Sequence, residues 1–523
     1  MKQPRHKVRH SALLAGVVLT AFGLAHSAAS VALESVTYVQ GSDLDTLDPA
    51  VTRSTPSKIV IGHIFNQLVK WDGPDMNKIV PDLAESWATS ADGKIWTFNL
   101  RKDVKFQDGT PLNAAAIKFN LDRIRDPKLG SPNRSYYSDI QSVDVDAEFV
   151  VKITTSHPSP TLLEILADGW SAISSPTAIK KYGRGYGHHP VGTGPYQFSS
   201  WMLNDRAVVK RNPAYFGSPS KPDQLVFRPV PEDSARVVEL RTGNADVAGN
   251  LSPESAAAVK EDGKVSLLRA PSSFQVFFEM NVTKPPFNDV RMRRAANLAI
   301  DRKAIVDKLL LGYGKAPTSP FADGVQGRRA FDPIPYDPQA AKKLIKEVYP
   351  NGYPSVVVIW TTTGRYTKDR EVSEVVQSYL NAVGIKTEFK VWEWASYQKT
   401  LYRAQPGVGT GHGTNDANMW LLGTGITSAD IRLRRKLQTG DPSNLTGYSN
   451  AKVDRLLALA ASEMNYDKRM GYYGDIQRIV WEDDPATIPL FDQVQVFGIR
   501  KNLKGLVVVD DGTVDLNGTV LTK

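Results

Sequence analysis

The chain has 523 residues, enough for about three domains, and its 41% hydrophobic and 23% charged residues exclude a disordered or low-complexity protein. Its 64 basic residues against 55 acidic ones leave a formal charge of +9, and four of the basic residues (Lys2, Arg5, Lys7 and Arg9) lie at the extreme N-terminus. With no basic run of five or more, a phosphate-tracking surface has no local support, and no nucleic-acid partner is expected. The absence of cysteine excludes disulfides, thiolate catalysis, cysteine zinc sites and a lipid anchor.

Residues 1–10 are polar and basic, 11–25 form a 15-residue apolar run (SALLAGVVLTAFGLA), and small residues follow to Ala32. This is the order of a secretory signal peptide, and the run is short for a membrane span, which needs about 20 apolar residues. A signal peptide over 1–32 is therefore expected, cleaved after Ser27 or Ala32. The expected mature protein is soluble, exported and held in a periplasm.

The mature chain alternates strand and helix signals. A strand is predicted at 35–39 and a helix at 56–68. The alternating WTFNLR at 96–101 leads into 104–106 and the Asp108-Gly109 turn, a hairpin signal. A helix over 113–124 has Asn113 as its N-cap. One strand is predicted over 144–154, and strands at 196–201, 207–211 and 224–230 precede a helix at 232–242. Further along, strands are expected at 276–280, 356–361, 386–391, 488–491 and 494–499. Helices are expected over 290–311, 339–348, 369–383, 395–404, 452–464 and 468–483. The five prolines of 317–338 predict a long irregular connection. The mixture implies α/β lobes rather than a bundle or a sandwich.

Catalytic signatures are missing. There is no Gly-x-Ser-x-Gly elbow, and the glycine-dense 407–413 (GVGTGHG) lacks a following Gly-Lys-Ser/Thr. His188 and His189 are adjacent and point apart on regular structure, and no HExxH occurs. The sequence thus indicates no catalytic residue, no metal ligand and no cofactor.

Five segments in order resemble the cluster C, family 5 solute-binding proteins of ABC importers, the dipeptide, oligopeptide and nickel type. They are 81–87 (PDLAESW) with 92–111; 190–196 (PVGTGPY) with 211–216; 286–295 (PFNDVRMRRA) with 299–302; 393–397 (EWASY); and 447–450 (GYSN) with 453–457. The resemblance spans nearly all of the mature chain. It implies a type II periplasmic-binding-protein fold: two α/β lobes hinged around a ligand cleft, with an extra subdomain on the first lobe. The expected division is 33–70, 192–272 and 490–523 for the first lobe, 71–191 for the subdomain, and 273–489 for the second lobe. Gly192-x-Gly194-Pro195, the Asp108-Gly109 turn and the 291–299 helix face read as fold determinants, not ligand contacts.

In peptide-binding relatives a Trp followed three residues later by an Asp lies in the cleft, and the Asp pairs with the peptide amine. The matching stretch here keeps Trp420 but has Gly423 in place of the Asp. A buried cation needs a paired charge, so Asp416 or Asp430 is the expected substitute, with Asn415 beside them. Arg365 matches a place where relatives put an arginine for an anionic group, and its planar fork suits carboxylate or phosphate. Trp420 is expected as an aromatic platform, with Phe274 and Trp170 as weaker contacts. The implied function is an importer's binding protein that captures a peptide-like or polar organic solute and delivers it, as a monomer, to an ABC permease. The alternative solute is an anionic sugar or an opine-like conjugate, and a periplasmic hydrolase is the rival class.

Overall fold

The computed structural model describes residues 34–522 apart from 75, 77, 261, 364, 393, 402–415 and 442. The expected signal peptide, the glycine-dense loop 407–413, Asn415 and the end of the 395–404 helix lie outside the described residues.

Two mixed sheets organise the chain. The first runs Val265–Ala270, Gln495–Arg500, Val247–Ala248, Ser35–Gln40, Gln224–Pro229, Arg206–Arg211 and Tyr196–Met202. Ser35–Gln40 pairs in parallel with Gln224–Pro229 and Val247–Ala248, and the remaining pairs are antiparallel. The second runs Gly314–Lys315, Thr487–Gln493, Gln275–Met280, Met419–Thr424, Val357–Thr362 and Thr387–Trp392. All six residues of the central strand Gln275–Met280 are buried, as a strand covered on both faces requires.

Side chains alternate across this second sheet. Val276, Phe278 and Met280 face the main core with Met419 and Leu421. Phe277 faces the other way, into a smaller cluster with Trp360, Trp420, Leu422 and Tyr397.

The chain passes from the first sheet to the second between Ala270 and Gln275, and returns at Val494. The return lies a few residues beyond the expected 490, because Thr487–Gln493 stays paired to Gln275–Met280 to its end.

A separate four-stranded antiparallel sheet, in the order Ala84–Thr89, Ile95–Leu100, Val150–Thr155 and Ile140–Ala147, builds the subdomain with the helix Ala114–Arg125. Asn113 caps that helix, accepting from the Ala116 amide at 3.0 Å. Two expectations fail here. The single strand of 144–154 is a hairpin turning at Glu148-Phe149, whose two arms pair with each other. Ile95–Leu100 pairs with Ala84–Thr89 and Val150–Thr155, and 104–106 contributes only the isolated bridge Lys105–Pro111. Alternation marks a strand but does not name its partner.

The recurring motifs do structural work. Ideal Cβ atoms at Gly192 and Gly194 would fall 2.3 and 2.6 Å from the Ile64 carbonyl oxygen, so backbone meets backbone there. Gln107 closes the junction: its Nε2 donates to the carbonyls of Ile64 and Tyr196, and its Oε1 accepts from the Gly192 amide. The first helix accordingly ends at Ile64, four residues before the predicted 68. Arg302 is buried and spends its guanidinium on the carbonyls of Pro489, Asn297 and Ile300. His188 stacks on Trp201 and His189 on Tyr182.

His63, 1% exposed, pins the C-terminal segment to this first helix. Its Nδ1 donates to the Ile59 carbonyl, and its Nε2 accepts from the Leu516 amide at 3.1 Å. Desolvation lowers its pKa against the opposing field of Asp515 and the hydrogen bond to Ile59. The imidazole is therefore neutral in the fold, and protonation favours the unfolded chain. Its contribution is complete above its ordinary value of 6.5 and is lost as pH falls from there toward the lowered folded value. Urea midpoints should fall with acidification in that window, and His63→Gln should flatten the dependence. Parallel curves for the two proteins would contradict it.

Candidate functional site

A cavity of about 320 Å³ opens between the subdomain and first lobe on one side and the second lobe on the other. From one side come Arg53, Lys58, Tyr136, Glu164, Asp168 and Trp170. From the other come Phe274, Arg365, the strip Leu422–Ser428, and Arg432, Arg435 and Lys436 of the helix Ala429–Leu437.

Its floor is built around Lys58 on the helix Thr55–Ile64. The ammonium pairs with Asp168 at 3.1 Å and Asp511 at 3.0 Å, and lies 5.0 Å from the centre of the Trp170 ring. Desolvation works against this charge, but the two carboxylates outweigh it and raise the lysine's pKa. Asp168 also caps the short turn Gly169–Ser171 by accepting from the Trp170 amide, which fixes the indole.

Tyr136 sits between two guanidiniums from opposite lobes. Arg53 lies 5.2 Å and Arg435 5.4 Å from its ring centre. Arg435 also donates to the Tyr136 hydroxyl at 2.8 Å and to Ser443 Oγ at 3.1 Å, both neutral acceptors. Arg432 is buried behind the strip, donating to the carbonyls of Ser273 and Pro320. Desolvation lowers its pKa to about 10 against the field of Asp492, so it remains charged at neutral pH. Among the described residues six cations and three carboxylates line the cavity. Lys58 already occupies two of those carboxylates.

Four of the sequence candidates meet in this cavity: Trp170, Phe274, Arg365 and Gly423. Arg365 follows the strand Val357–Thr362, and its amide donates to Asp369 Oδ2 at 2.9 Å. The other candidates lie elsewhere. Trp420 is 1% exposed and is not a cavity-lining platform. Its register explains this. Trp420 lies directly opposite Glu279 across the antiparallel pair, and its indole N–H donates to the buried Glu279 Oε2 at 2.8 Å. Lys436 reaches the same carboxylate at 2.7 Å from the cavity wall, so Trp420 acts on the site from behind, through Glu279 and through its packing with Leu422. Asp416 is spent on Lys390 and the Trp360 indole. Asp430, 7% exposed, accepts from Arg434 and from the Tyr473 hydroxyl at 3.0 Å. Neither aspartate lines the cavity, and Asn415 lies outside the described residues.

Gly423 has a steric reason. A Cβ there would stand 2.5 Å from Phe274 Cε1 and 2.8 Å from Tyr366 Cε1. The Phe274 ring, packed against Tyr366 at 6.0 Å between centres, occupies the room an aspartate would need. Sequence reading missed Arg53, Lys58, Tyr136 and Glu164, which have no local pattern. The dense run Arg432-Leu433-Arg434-Arg435-Lys436 was the available signal for the second-lobe cations.

Two α/β lobes facing one another across a small, charged, aromatic-walled cavity form a solute receptor. Residues 78–428 match the bacterial extracellular solute-binding proteins, family 5 Middle. The glutathione-binding protein GsiB of Salmonella choleraesuis (strain SC-B67) is 34% identical over 505 residues, covering 94% of this chain and 96% of that protein. Among solved structures, HbpA2 from Haemophilus parasuis aligns with a TM-score of 0.80 at 25% identity, covering 94% of this chain and 100% of its own. AgaA from A. tumefacien R10, in complex with agropinic acid, aligns with a TM-score of 0.78 at 26% identity, covering 94% of this chain and 99% of its own. The chain belongs to family 5 of the bacterial extracellular solute-binding proteins. It has their two-lobe type II fold and is a substrate-binding protein of an ABC importer. The homologues are transporter binding proteins, not enzymes, and no described helix is long and apolar enough to cross a membrane.

Gly423→Asp should cost about 1–3 kcal/mol by overpacking against Phe274, read as a lower chemical-denaturation midpoint. Adding Phe274→Ala should recover much of that loss. Equal stability of wild type and the single variant would show that the ring moves aside freely.

Proposed function

We propose that the solute is a small, net-anionic, peptide-like molecule of the glutathione class. It would be captured in a periplasm by the monomeric mature chain, after removal of the signal peptide, and handed unchanged to the permease. The observation that carries this reading is the excess of cationic side chains on the cavity wall, with Arg435 held by neutral groups and Lys58 already neutralised by two aspartates. A pair of arginines on opposite lobes offers an acidic group charge-assisted hydrogen bonds that exist together only when the lobes are closed. Arg365, on the second-lobe wall, is the further candidate for a carboxylate. The relative GsiB, a glutathione-binding protein, fits this chemistry.

An anionic conjugate that is not a peptide is the second reading. It is favoured by Gly423, which brings no carboxylate for a peptide amine, and by the agropinic acid held in AgaA. Under either reading no reaction occurs. Asp168 and Asp511 are locked on Lys58, and a solute should be recovered chemically intact.

Calorimetric titration with glutathione, agropinic acid and Ala-Ala tests the reading. The anionic solutes should bind and the neutral dipeptide should not. Arg435→Gln should weaken an anionic solute by about tenfold, equivalent to ~1.4 kcal/mol. Tight binding of Ala-Ala, or conversion of a bound solute, would overturn it.

A further inference from the structure

Among the described residues three carboxylates line the cavity, and two of them are spent on Lys58. The third, Glu164, lies on the helix Leu162–Ala167 of the subdomain, one turn before Asp168. Among the described residues no lysine or arginine forms an ion pair with it. Ser428, the N-cap of the second-lobe helix Ala429–Leu437, lines the same cavity from the other lobe. The charged groups around it are engaged elsewhere. Asp430 holds Arg434 and Tyr473, and Arg469 donates to the Glu463 carbonyl and lies over the Tyr466 ring. On its own side, Asp168 belongs to Lys58.

We propose that Glu164 is the acceptor for a primary ammonium on the solute, supplying from the subdomain the carboxylate that Gly423 withholds from the second lobe. The inference rests on the reading of the solute as anionic and peptide-like. Such a molecule carries acidic groups and an amine, and in a cavity with a cationic wall the amine needs a carboxylate whose charge is not already matched. Of the three, Glu164 is the one without an ion pair among the described residues. Glu164 and the Gly423 strip face the same cavity from opposite sides. An amine on Glu164 would therefore be bound end-for-end relative to one held at position 423. A solute held there would also meet the second-lobe strip, which lines the same cavity.

The assignment has a pH consequence. Desolvation pushes the Glu164 carboxyl up to about 7, reinforced by Asp430 and opposed by the Ser428 hydrogen bond and the field of Arg469. Tyr466 and Tyr473 also feel its charge. A proton on Glu164 competes with the ammonium, so binding releases it. Affinity should then fall as pH drops below that value, by up to about tenfold per pH unit.

The test is calorimetric titration of the mature chain and of Glu164→Gln with glutathione and N-acetylglutathione, from about pH 5.5 to about pH 8. Wild type should prefer glutathione over its acetylated form by about ten- to a hundredfold, the scale of a hydrogen bond to a charged group. Glu164→Gln should lose that preference and the pH dependence, binding N-acetylglutathione at least as tightly as glutathione. A merely structural role would weaken both solutes alike. Equal binding of the two solutes by wild type overturns the assignment and leaves the anionic reading intact. Failure of glutathione, agropinic acid and dipeptides all to bind overturns both.

Discussion

One half-buried ammonium organises this receptor. Lys58 stands on the helix that follows the first strand, yet its two carboxylates come from positions 168 and 511, far apart in the chain. Removing any member of the trio would leave a charge in a partly dehydrated pocket without its partner, which in buried pairs costs several kcal/mol. The trio brings the first lobe, the subdomain and the C-terminal segment to one point, with Trp170 resting over the charge. The cavity floor is thus already polar, and its one ammonium is held by two carboxylates. That leaves the opposite wall, with Arg432 and Arg435, to set the sign of what can enter.

The second lobe meets this floor with a different economy. Its central strands are buried on both faces, so each side chain must go to one core or the other. Trp420 goes to the smaller one, paired with Glu279. The consequence is indirect reach: an indole and a cavity-wall lysine share one fully buried carboxylate. The wall's charge is coupled to the packing of the sheet behind it, and a change in that packing would be felt as a change in the electrostatics of the cavity.

Much of the fold was legible in the sequence because its signals are local. Alternation marked most strands, Asn113 announced a cap, and the five ordered motifs carried the family. What could not be read was pairing. The strand Ile95–Leu100 finds its neighbours at 84–89 and 150–155, not at the adjacent turn, and no local pattern encodes that choice. The site divides the same way. Trp170, Phe274, Arg365 and Gly423 were reachable by resemblance or by nearness to a strand end. Trp420 was misread because its sequence position matches a ligand platform, whereas its orientation depends on the register against Gln275–Met280. Glu164 escaped notice because a glutamate in a short amphipathic helix resembles any solvated one until a second lobe covers it.

The exchange at Gly423 and Phe274 bears on how a receptor of this kind changes its solute over time. The two positions form a lock of volumes: a side chain at 423 collides with the ring, and a ring removed without replacement leaves a hole. Each single step away from the present arrangement is disfavoured, although a coordinated double step is open. Specificity here is therefore sheltered by a ridge in sequence space, and drift toward amine recognition on the second lobe would require two changes to arrive together.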